Sequence, residues 1–423
     1  METEVVLAVG IFIITYIIIM SEKLNRTAVA LVGAVVLLLF NVITQEEAVQ
    51  NIDFNTIGLL MGMMIIVNIM KRSGIFEYIA IVAAKRAKGD PLKILVLFAI
   101  ITAIASAFLD NVTTILLIVP VTLVITDALK ISPVPILVPL ILFANIGGTA
   151  TLIGDPPNIM IGSATGLGFN DFLLNLAPVV IVIFFATLFF VKVLNRERLK
   201  VSEQQKSVIM KFDESLAIKD AVLLKKSMFT LGLTVLGFML HQKLGYESAT
   251  VAFLGASLLL LISGINPEDV LLEIEWPTIF FFASLFVLVG GLEKVGVIDL
   301  LAEKMLHITQ GNLVMTAMLI LWGAAIASAF LDNIPFVATM IPLIKSIGAM
   351  SAMSITPLWW ALALGACLGG NGTLVGASAN VIVSGMLEKH GDGIGFVEYM
   401  KVGFPLMLLS IAISSVYLVV FYL

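Results

Sequence analysis

Long apolar segments limit the fold of this chain more than any other feature of its sequence. They lie at 4–20, 27–40, 172–191, 247–264 and 402–423, and most approach the roughly 20 residues that a helix needs to cross a bilayer. Of the 423 residues, 60% are apolar and only 13% are charged, which leaves too few polar side chains to cover a soluble protein. The sequence therefore predicts an all-α integral membrane protein, with the lipid bilayer as its surroundings.

The N-terminus and several missing motifs exclude other classes of protein. The first residues are acidic and no small-residue cleavage site follows segment 4–20, so we expect a membrane span there and no signal peptide. The single cysteine, Cys367, excludes an intramolecular disulfide bond and a cysteine-rich metal site. The motifs HExxH, GxxxxGK[ST] and GxSxG are absent. We therefore expect neither an enzyme nor an ATP-driven pump, and we expect no cofactor and no nucleic-acid partner.

The two halves of the chain repeat each other at a constant offset of 222 residues. The segment IASAFLDN at 104–111 recurs unchanged at 326–333, and the glycine-rich segment 147–158 matches 369–380 at the same offset. Further pairs in this register are Gly33 and Gly255, Thr56 and Thr278, Gly74 and Gly296, and Pro120 and Pro342. The register holds without a gap from about residue 25 to residue 158, so the similarity indicates an internal repeat.

A polar linker separates the halves. The stretch 195–226 is the only long polar one in the sequence, and we predict a linker there with one amphipathic helix. The halves are then residues 1–194 and 227–423, each with five membrane spans and one re-entrant hairpin. The predicted spans are 4–20, 26–43, 55–71, 134–166 and 172–194 in the first half, and 227–242, 246–264, 276–292, 357–388 and 401–421 in the second.

Each half also contains a segment that is predicted to enter the membrane and turn back. The first hairpin is 92–127, with two short arms, 92–109 and 115–127, and a polar tip at 110–114. The second hairpin is 312–346. A polar turn at membrane depth must be buried in protein or line water, so we expect both tips inside the protein. Amphipathic helices along the membrane surface are predicted at 74–88 and 296–310.

Five spans are an odd number, so the second half must be inserted upside down, as an inverted-topology repeat. With the linker inside the cell, 20 of the 24 Lys and Arg residues lie on the cytoplasmic side, which satisfies the positive-inside rule. In this orientation loop 44–54, which has three acidic residues and no basic one, faces outside. We expect a multi-pass protein of the cell's inner (plasma) membrane, with both termini outside and the linker in the cytoplasm.

Two glycine-rich loops interrupt segments that are otherwise long enough to cross the membrane. Glycine lets the backbone unwind and approach a ligand closely, and unwound backbone aims carbonyl groups and half-helix ends at an ion or an oxyanion without a buried lysine. We therefore predict discontinuous helices at the membrane midplane, as in secondary transporters. The loop residues predicted to bind solute or ion are Gly147, Gly148, Thr149, Thr151, Asp155 and Asn158, and in the second half Gly369, Gly370, Asn371, Thr373 and Asn380.

Asp110 and Asp332 stand at equivalent positions of the two hairpin tips. A carboxylate at the bilayer centre costs about 2.5–3.5 kcal/mol on insertion scales, so two at matching positions indicate a function. One interpretation is that they carry the coupling H+ or Na+, because a buried carboxyl group takes up a proton more readily. The alternative is that each caps the following helix, and both can hold together. Further predicted binding residues are Asn111, Thr113, Thr114 and Asn333, with Na+ sites at Asp110/Asn111 and Asp332/Asn333.

Two other residues near the loops have competing interpretations. Asp155 has Ala377 as its counterpart and is followed by proline, which is typical of a helix N-cap with proline at the first helical position. The alternative for Asp155 is a role in ion coupling. Cys367 precedes the second loop, where it could contact a thiophilic metalloid, but a buried free cysteine usually packs as a small apolar residue.

These motifs resemble those of the ion transporter superfamily. The branch they resemble contains arsenite efflux permeases, NhaD-type sodium–proton antiporters and the melanosomal P protein, with a citrate-transporter-like domain. The resemblance rests on SAFLDN at 106–111 and 328–333 and on GGTATLIGDPPN at 147–158, and it covers essentially the whole chain. It implies a scaffold domain, a mobile transport domain that holds the hairpins and broken helices, and elevator-like movement. It also implies a homodimer and association with a soluble ATPase subunit as candidate assemblies.

The hairpin tips separate this chain from one branch of that superfamily. The dicarboxylate branch has Ser-Asn-Thr there, whereas this chain has Asp-Asn-Val and Asp-Asn-Ile, which disfavours citrate or succinate. The first functional hypothesis is efflux of arsenite or antimonite, since neutral As(OH)3 suits a site of hydroxyls and amides without a fixed cation. The second is a sodium–proton antiporter in which the same aspartates bind the cation. A dicarboxylate carrier and a gated channel rank below these.

Overall fold

The computed structural model describes residues 2–21 and 23–423, and most of these residues are helical. The first half contains α1 Glu2–Met20, α2 Arg26–Leu39, α3 Gln45–Asn51, α4 Phe54–Lys71, α5 Ile75–Arg86, α6 Pro91–Leu109, α7 Asn111–Leu129, α8 Val134–Gly148, α9 Pro156–Thr165 and α10 Phe169–Asn195. The linker contains α11 Glu203–Ile209 and a 3-10 helix, Glu214–Ala217. The second half contains α12 Ala221–Leu244, α13 Ser248–Ser263, α14 Pro267–Leu272, α15 Trp276–Lys294, α16 Val297–Thr309, α17 Leu313–Phe330, α18 Asn333–Met350, α19 Thr356–Gly369, α20 Ser378–His390 and α21 Phe396–Phe421.

The helices of the two halves begin at equivalent residues. From α2 to α9, every helix begins 222 residues before its counterpart in the series α13 to α20. The repeat in the sequence is therefore a repeat of whole helices, including the breaks between them. The helices α3 and α14, in the loops after α2 and α13, were not predicted.

Ten helices within the described residues are long and apolar enough to cross a membrane: α1, α4, α6, α7, α10, α12, α15, α17, α18 and α21. Shorter apolar helices of 14 to 16 residues are α2, α8, α13 and α19. The prediction of an all-α, multi-pass membrane protein is confirmed.

The second hairpin arm is longer than predicted. Both α6 and α7 have 19 residues, about 28 Å at 1.5 Å per residue. The predicted first arm, 92–109, matches α6, whereas the second arm, predicted as 115–127, extends over 111–129, so the arms are not short. The reason is that Asp110 alone forms the turn, with φ 76°, and α7 begins at the next residue. The tip nevertheless lies level with the break between α8 and α9, because Ser106 donates to the Ala144 carbonyl at 2.6 Å. Re-entrant insertion of this hairpin into the membrane stays a prediction.

The linker is shorter than predicted. Asp220 accepts hydrogen bonds from the backbone N–H groups of Val222 and Leu223, and this cap starts α12 at Ala221 instead of residue 227. The predicted amphipathic linker helix is α11. It lies against the end of the first hairpin, where Gln205 Nε2 donates to the Leu129 carbonyl at 2.7 Å.

Apart from α3, α5, α11, α14 and α16, the helices form two groups. One group, here called the frame, consists of α1, α2, α4, α12, α13 and α15, in which α2 packs on α15 and α4 on α13. The other, the hairpin body, consists of α6 to α10 and α17 to α21, in which α6 packs on α8 and α17 on α19. A Cβ atom at Gly147 would lie 2.2 Å from the Ala103 carbonyl oxygen, and one at Gly369 would lie 2.6 Å from that of Ala325. Only glycine permits the hairpins to approach the broken helices this closely.

Candidate functional site

The two predicted breaks are present. The first separates α8 from α9 and the second separates α19 from α20. Each loop is held by an asparagine at the start of the following half-helix. Asn158 Nδ2 donates to the Thr149 and Thr151 carbonyls at 3.1 and 2.8 Å, and Asn380 Nδ2 donates to the Gly370 and Thr373 carbonyls at 2.7 and 2.8 Å. The amide N–H groups of both predicted binding residues are therefore used to shape the loops.

The loop threonines tie each hairpin to its broken helix. Thr151 donates its hydroxyl to the Ala107 carbonyl, and Thr373 donates to the Ala329 carbonyl at 2.5 Å. Both side chains are buried. Both hydroxyl protons are thus used in hydrogen bonds to the hairpin backbone, so these hydroxyls can only accept a hydrogen bond from a solute or coordinate a cation.

A chain of amides joins the two halves at the centre of the hairpin body. Asn111 Nδ2 donates to Asn145 Oδ1 at 3.0 Å. Asn145 Nδ2 in turn donates to Asn371 Oδ1 at 2.9 Å and to Asn380 Oδ1 at 3.1 Å. Sequence reasoning missed Asn145. The signal was present, because it is the one amide side chain inside the apolar helix α8, where it needs a buried partner.

Cys367 occupies the position equivalent to Asn145. Its Sγ lies 3.5 Å from Asn158 Oδ1, and the residue is fully buried. The thiol therefore packs as predicted, and it does so within the central polar cluster and between the two breaks.

Asp155 is buried at this centre and occupies the N-cap position of α9, as predicted. Its side chain, however, makes no capping hydrogen bond. The physical reason is that Pro156 and Pro157 follow it and have no N–H to donate. The first available N–H, that of Asn158, donates instead to the Asp155 backbone carbonyl at 3.0 Å. Proline at the first helical position is confirmed.

The Asp155 carboxylate reaches across to the second hairpin. Its Oδ1 accepts a hydrogen bond from Asn333 Nδ2 at 3.3 Å, and the Cys367 thiol also interacts with the carboxylate group. Asp155 Oδ2 is buried with no hydrogen bond of normal geometry among the described residues. At the first hairpin tip, Asn111 Oδ1 and Thr114 Oγ1 are also buried without a hydrogen-bond partner among the described residues. A buried carboxylate oxygen without a donor is unfavourable unless it holds a proton or a cation.

The two hairpin aspartates do cap the helices that follow. Asp110 Oδ1 accepts from the Thr113 backbone N–H at 2.8 Å, and its Oδ2 accepts from the Thr113 hydroxyl at 2.6 Å. Asp332 Oδ1 accepts from the Ile334 N–H at 3.2 Å. The capping interpretation is confirmed at both tips, and the coupling role remains a prediction.

Asp332 also has a basic partner. Arg26 Nη1 lies 2.5 Å from Asp332 Oδ2, and Ser378 Oγ donates to the same oxygen at 3.1 Å. The expectation of a site without a fixed cation is therefore wrong at the second tip. The sequence held little signal for this contact, because Arg26 stands at the predicted edge of a span and 306 residues from Asp332.

Two cavities lie beside the tips. The cavity beside the second tip measures about 360 Å³ and is lined by Tyr16, Arg26, Asp332 and Ser378 together with apolar residues. The cavity beside the first tip measures about 380 Å³ and is lined by Thr113 together with charged residues of α4, α5, the linker and the segment between α14 and α15. Each tip is thus reached from a space large enough for a small solute or a hydrated ion.

Known proteins resemble this chain along nearly its whole length. Residues 16–365 match the family model CitMHS, described as citrate transporter. An uncharacterized transporter of Mycobacterium tuberculosis is 44% identical over 98% of this chain and 97% of that protein. The P protein of Homo sapiens is 34% identical over 99% of this chain and 60% of that protein. The crystal structure of the YdaH transporter of Alcanivorax borkumensis has a similar fold, with a TM-score of 0.59 and 16% identity over 90% of this chain and 87% of that one.

Proposed function

We propose that this chain, which belongs to the CitMHS citrate transporter family, is a secondary active transporter that couples a small inorganic solute to protons or another cation. The observation that carries the proposal is the buried carboxylate of Asp155, whose Oδ2 has no hydrogen bond of normal geometry among the described residues. It lies where the first break meets the second hairpin. A proton or a cation at this oxygen would neutralise the charge that the bilayer disfavours.

Arsenite or antimonite is the first solute we propose. Apart from the carboxylate of Asp155, the side chains at the centre are neutral amides, hydroxyls and one thiol, and As(OH)3 can both donate to and accept from such groups. Citrate fits this centre poorly, although the family description names it. A tricarboxylate would meet the carboxylates of Asp110, Asp155 and Asp332, and the guanidinium of Arg26 is already paired with one of them.

Sodium–proton exchange is the second candidate. It is favoured by the unpartnered central atoms Asp155 Oδ2 and Asn111 Oδ1, which are both hydrogen-bond acceptors. Oxygen acceptors without donors are the ligands that a hard cation prefers. In this case the cation itself is the transported substrate, and no metalloid is required.

The division into a frame and a hairpin body supports the proposed elevator-like movement of the hairpin body against the frame. Inverted repeats with broken helices at the midplane are the plan of such carriers. We further propose that the linker is cytoplasmic and that both termini lie outside, in a plasma membrane. A homodimer and a soluble ATPase partner remain predictions from the family resemblance.

The test is transport by the purified chain in proteoliposomes. We expect saturable uptake of arsenite, or of sodium, that responds to an imposed pH gradient. The variant Asp155→Asn should elute as a folded protein and lose the gradient-driven component, since it keeps the shape but removes the charge. Asp269→Asn, which changes an exposed acid on α14, is the matched control and should transport normally. Gradient-driven transport by Asp155→Asn at the wild-type rate would refute the coupling role, and saturable uptake of citrate would refute the proposed solute.

A further inference from the structure

Arg26 connects the frame to the hairpin body. It is the first residue of α2, and its guanidinium carbon lies 5.0 Å from the centroid of the Phe281 ring in α15, a cation–π distance within the frame. From there Nη1 reaches Asp332 Oδ2 at 2.5 Å and Ser378 Oγ at 2.8 Å. Both acceptors belong to the hairpin body. The pair is therefore an ionic contact between the two groups of helices.

The ion pair faces the cavity of about 360 Å³. The side chain of Arg26 is 33% exposed and that of Asp332 is 12% exposed. A cation in this cavity can therefore reach the carboxylate, and the flexible arginine has space to move away from it. The ion pair is accessible and can be exchanged, unlike a pair sealed in a protein core.

The equivalent contact is missing from the first half. The residue that corresponds to Arg26 is Ser248, which together with Ala249 hydrogen bonds to Asn55 at 3.4 and 3.0 Å. Asp110, the counterpart of Asp332, has no basic partner within residues 2–21 and 23–423. The segment IASAFLDN is identical at both tips, so the repeat itself does not require a guanidinium.

We propose that Arg26 is a tethered counter-ion of Asp332, and that Na+ must displace the Arg26 guanidinium from Asp332 before the hairpin body can move. The proposal rests on the proposed cation-coupled transport. A carboxylate without a positive partner is unfavourable at membrane depth, so Asp332 needs either Arg26 or a bound cation. Arg26 belongs to the frame, and its pairing holds the empty hairpin body in place. Na+ neutralises Asp332 and releases the body, which prevents movement without a cation.

Sodium binding by the purified full-length chain tests this without any solute. The measurement is the Na+ concentration that gives half of the maximal rise in melting temperature at fixed pH, because a ligand of the folded state stabilises it. If Arg26 occupies Asp332 about nine-tenths of the time, Arg26→Gln should lower this concentration roughly tenfold. Arg26→Lys keeps a competing charge and should shift it less. Lys294→Gln is the matched control, because it breaks the 2.7 Å ion pair with Glu47 far from this cavity, and it should leave the concentration unchanged.

A double-variant cycle separates a counter-ion from a merely structural arginine. Without Na+, Arg26→Gln and Asp332→Asn should each lower the melting temperature, and the double variant should recover most of the loss, since no unpaired charge remains. Any one of three results would overturn the inference. They are an unchanged half-saturating Na+ concentration in Arg26→Gln, no Na+ response in any variant, and a double variant that is no more stable than the single variants. Tighter Na+ binding by Arg26→Gln without any Na+-dependent flux in proteoliposomes would confirm the counter-ion and refute Na+ as the coupling cation of the proposed transport.

Discussion

Asn145 of α8 donates its side-chain amide to Oδ1 of Asn380 in α20 at 3.1 Å, so a direct hydrogen bond joins the two broken helices. The equivalent pair from the other half is Cys367 and Asn158, whose Sγ and Oδ1 lie 3.5 Å apart. The repeat therefore makes the same contact twice, once with an amide and once with a thiol. An S–H is the weaker donor, so the contact made by Asn145 holds the centre more strongly.

This difference predicts unequal effects of alanine at the two equivalent positions. Asn145→Ala removes the donor to Asn371 and Asn380 and the acceptor for Asn111, and each buried group left unpaired costs about 1–3 kcal/mol. Cys367→Ala removes only the weaker contacts of a thiol. We expect a clearly lower melting temperature in detergent for Asn145→Ala and a small change for Cys367→Ala. Equal melting temperatures would show that the amide chain does not hold the breaks together.

The close approach of hairpin and broken helix predicts the effect of a single methyl group. A Cβ at position 147 would lie 2.2 Å from a backbone oxygen of α6, and overpacking of this kind costs about 1–3 kcal/mol or more. Gly147→Ala should therefore reduce the yield of monodisperse protein in size-exclusion chromatography. Gly323→Ala, on α17 with no atom within 4 Å of the added Cβ, is the control. It should fold as well as the wild type, because alanine favours a helix over glycine by about 1 kcal/mol.

The charge distribution predicts the side of the membrane on which the linker lies. The stretch 195–226 contains many of the basic residues, which resist translocation. Protease added to right-side-out vesicles should leave this stretch intact, and the same protease should cut it in inverted vesicles. Cleavage from the outside would reverse the predicted orientation of both hairpins.

His390, at the end of α20, predicts a pH dependence of stability. Its ring nitrogens lie 2.9 Å from Asp392 Oδ2 and 3.2 Å from Asp127 Oδ2, and Asp392 followed by Asp127 raises the pKa of the imidazole. A pKa raised by folding means that the stabilisation is complete below the unfolded value of about 6.5 and is lost as the pH rises through the folded value. The contacts link α20 to the end of the first hairpin.

We therefore expect His390→Gln to lower the melting temperature at about pH 6 and to have little effect at about pH 9. His307→Gln, which changes an exposed histidine of α16, is the control and should show no such difference. A loss of stability for His390→Gln that is the same at both pH values would mean that the contacts do not depend on the charge of the ring.

The sequence alone determined the repeat, the membrane class, the positions of the breaks and the hairpin tips. Each of these depends on signals within a short stretch of chain. Apolar length decides where a helix can cross the bilayer, and glycine-rich loops such as 147–158 mark where the backbone unwinds. The length of the second hairpin arm was misjudged, because the polar tip 110–114 predicts a loop whereas the turn is Asp110 alone.

Only the tertiary structure decided which side chains meet. Asp155 follows the sequence pattern of a helix cap, yet the two prolines after it remove the N–H donors and its carboxylate turns to Asn333 in the other half. Arg26 and Asp332 are 306 residues apart, and no local pattern pairs them. A side-chain contact between halves depends on how helices pack across the repeat, and packing is a property of the whole fold that periodicity and spacing along the chain do not contain.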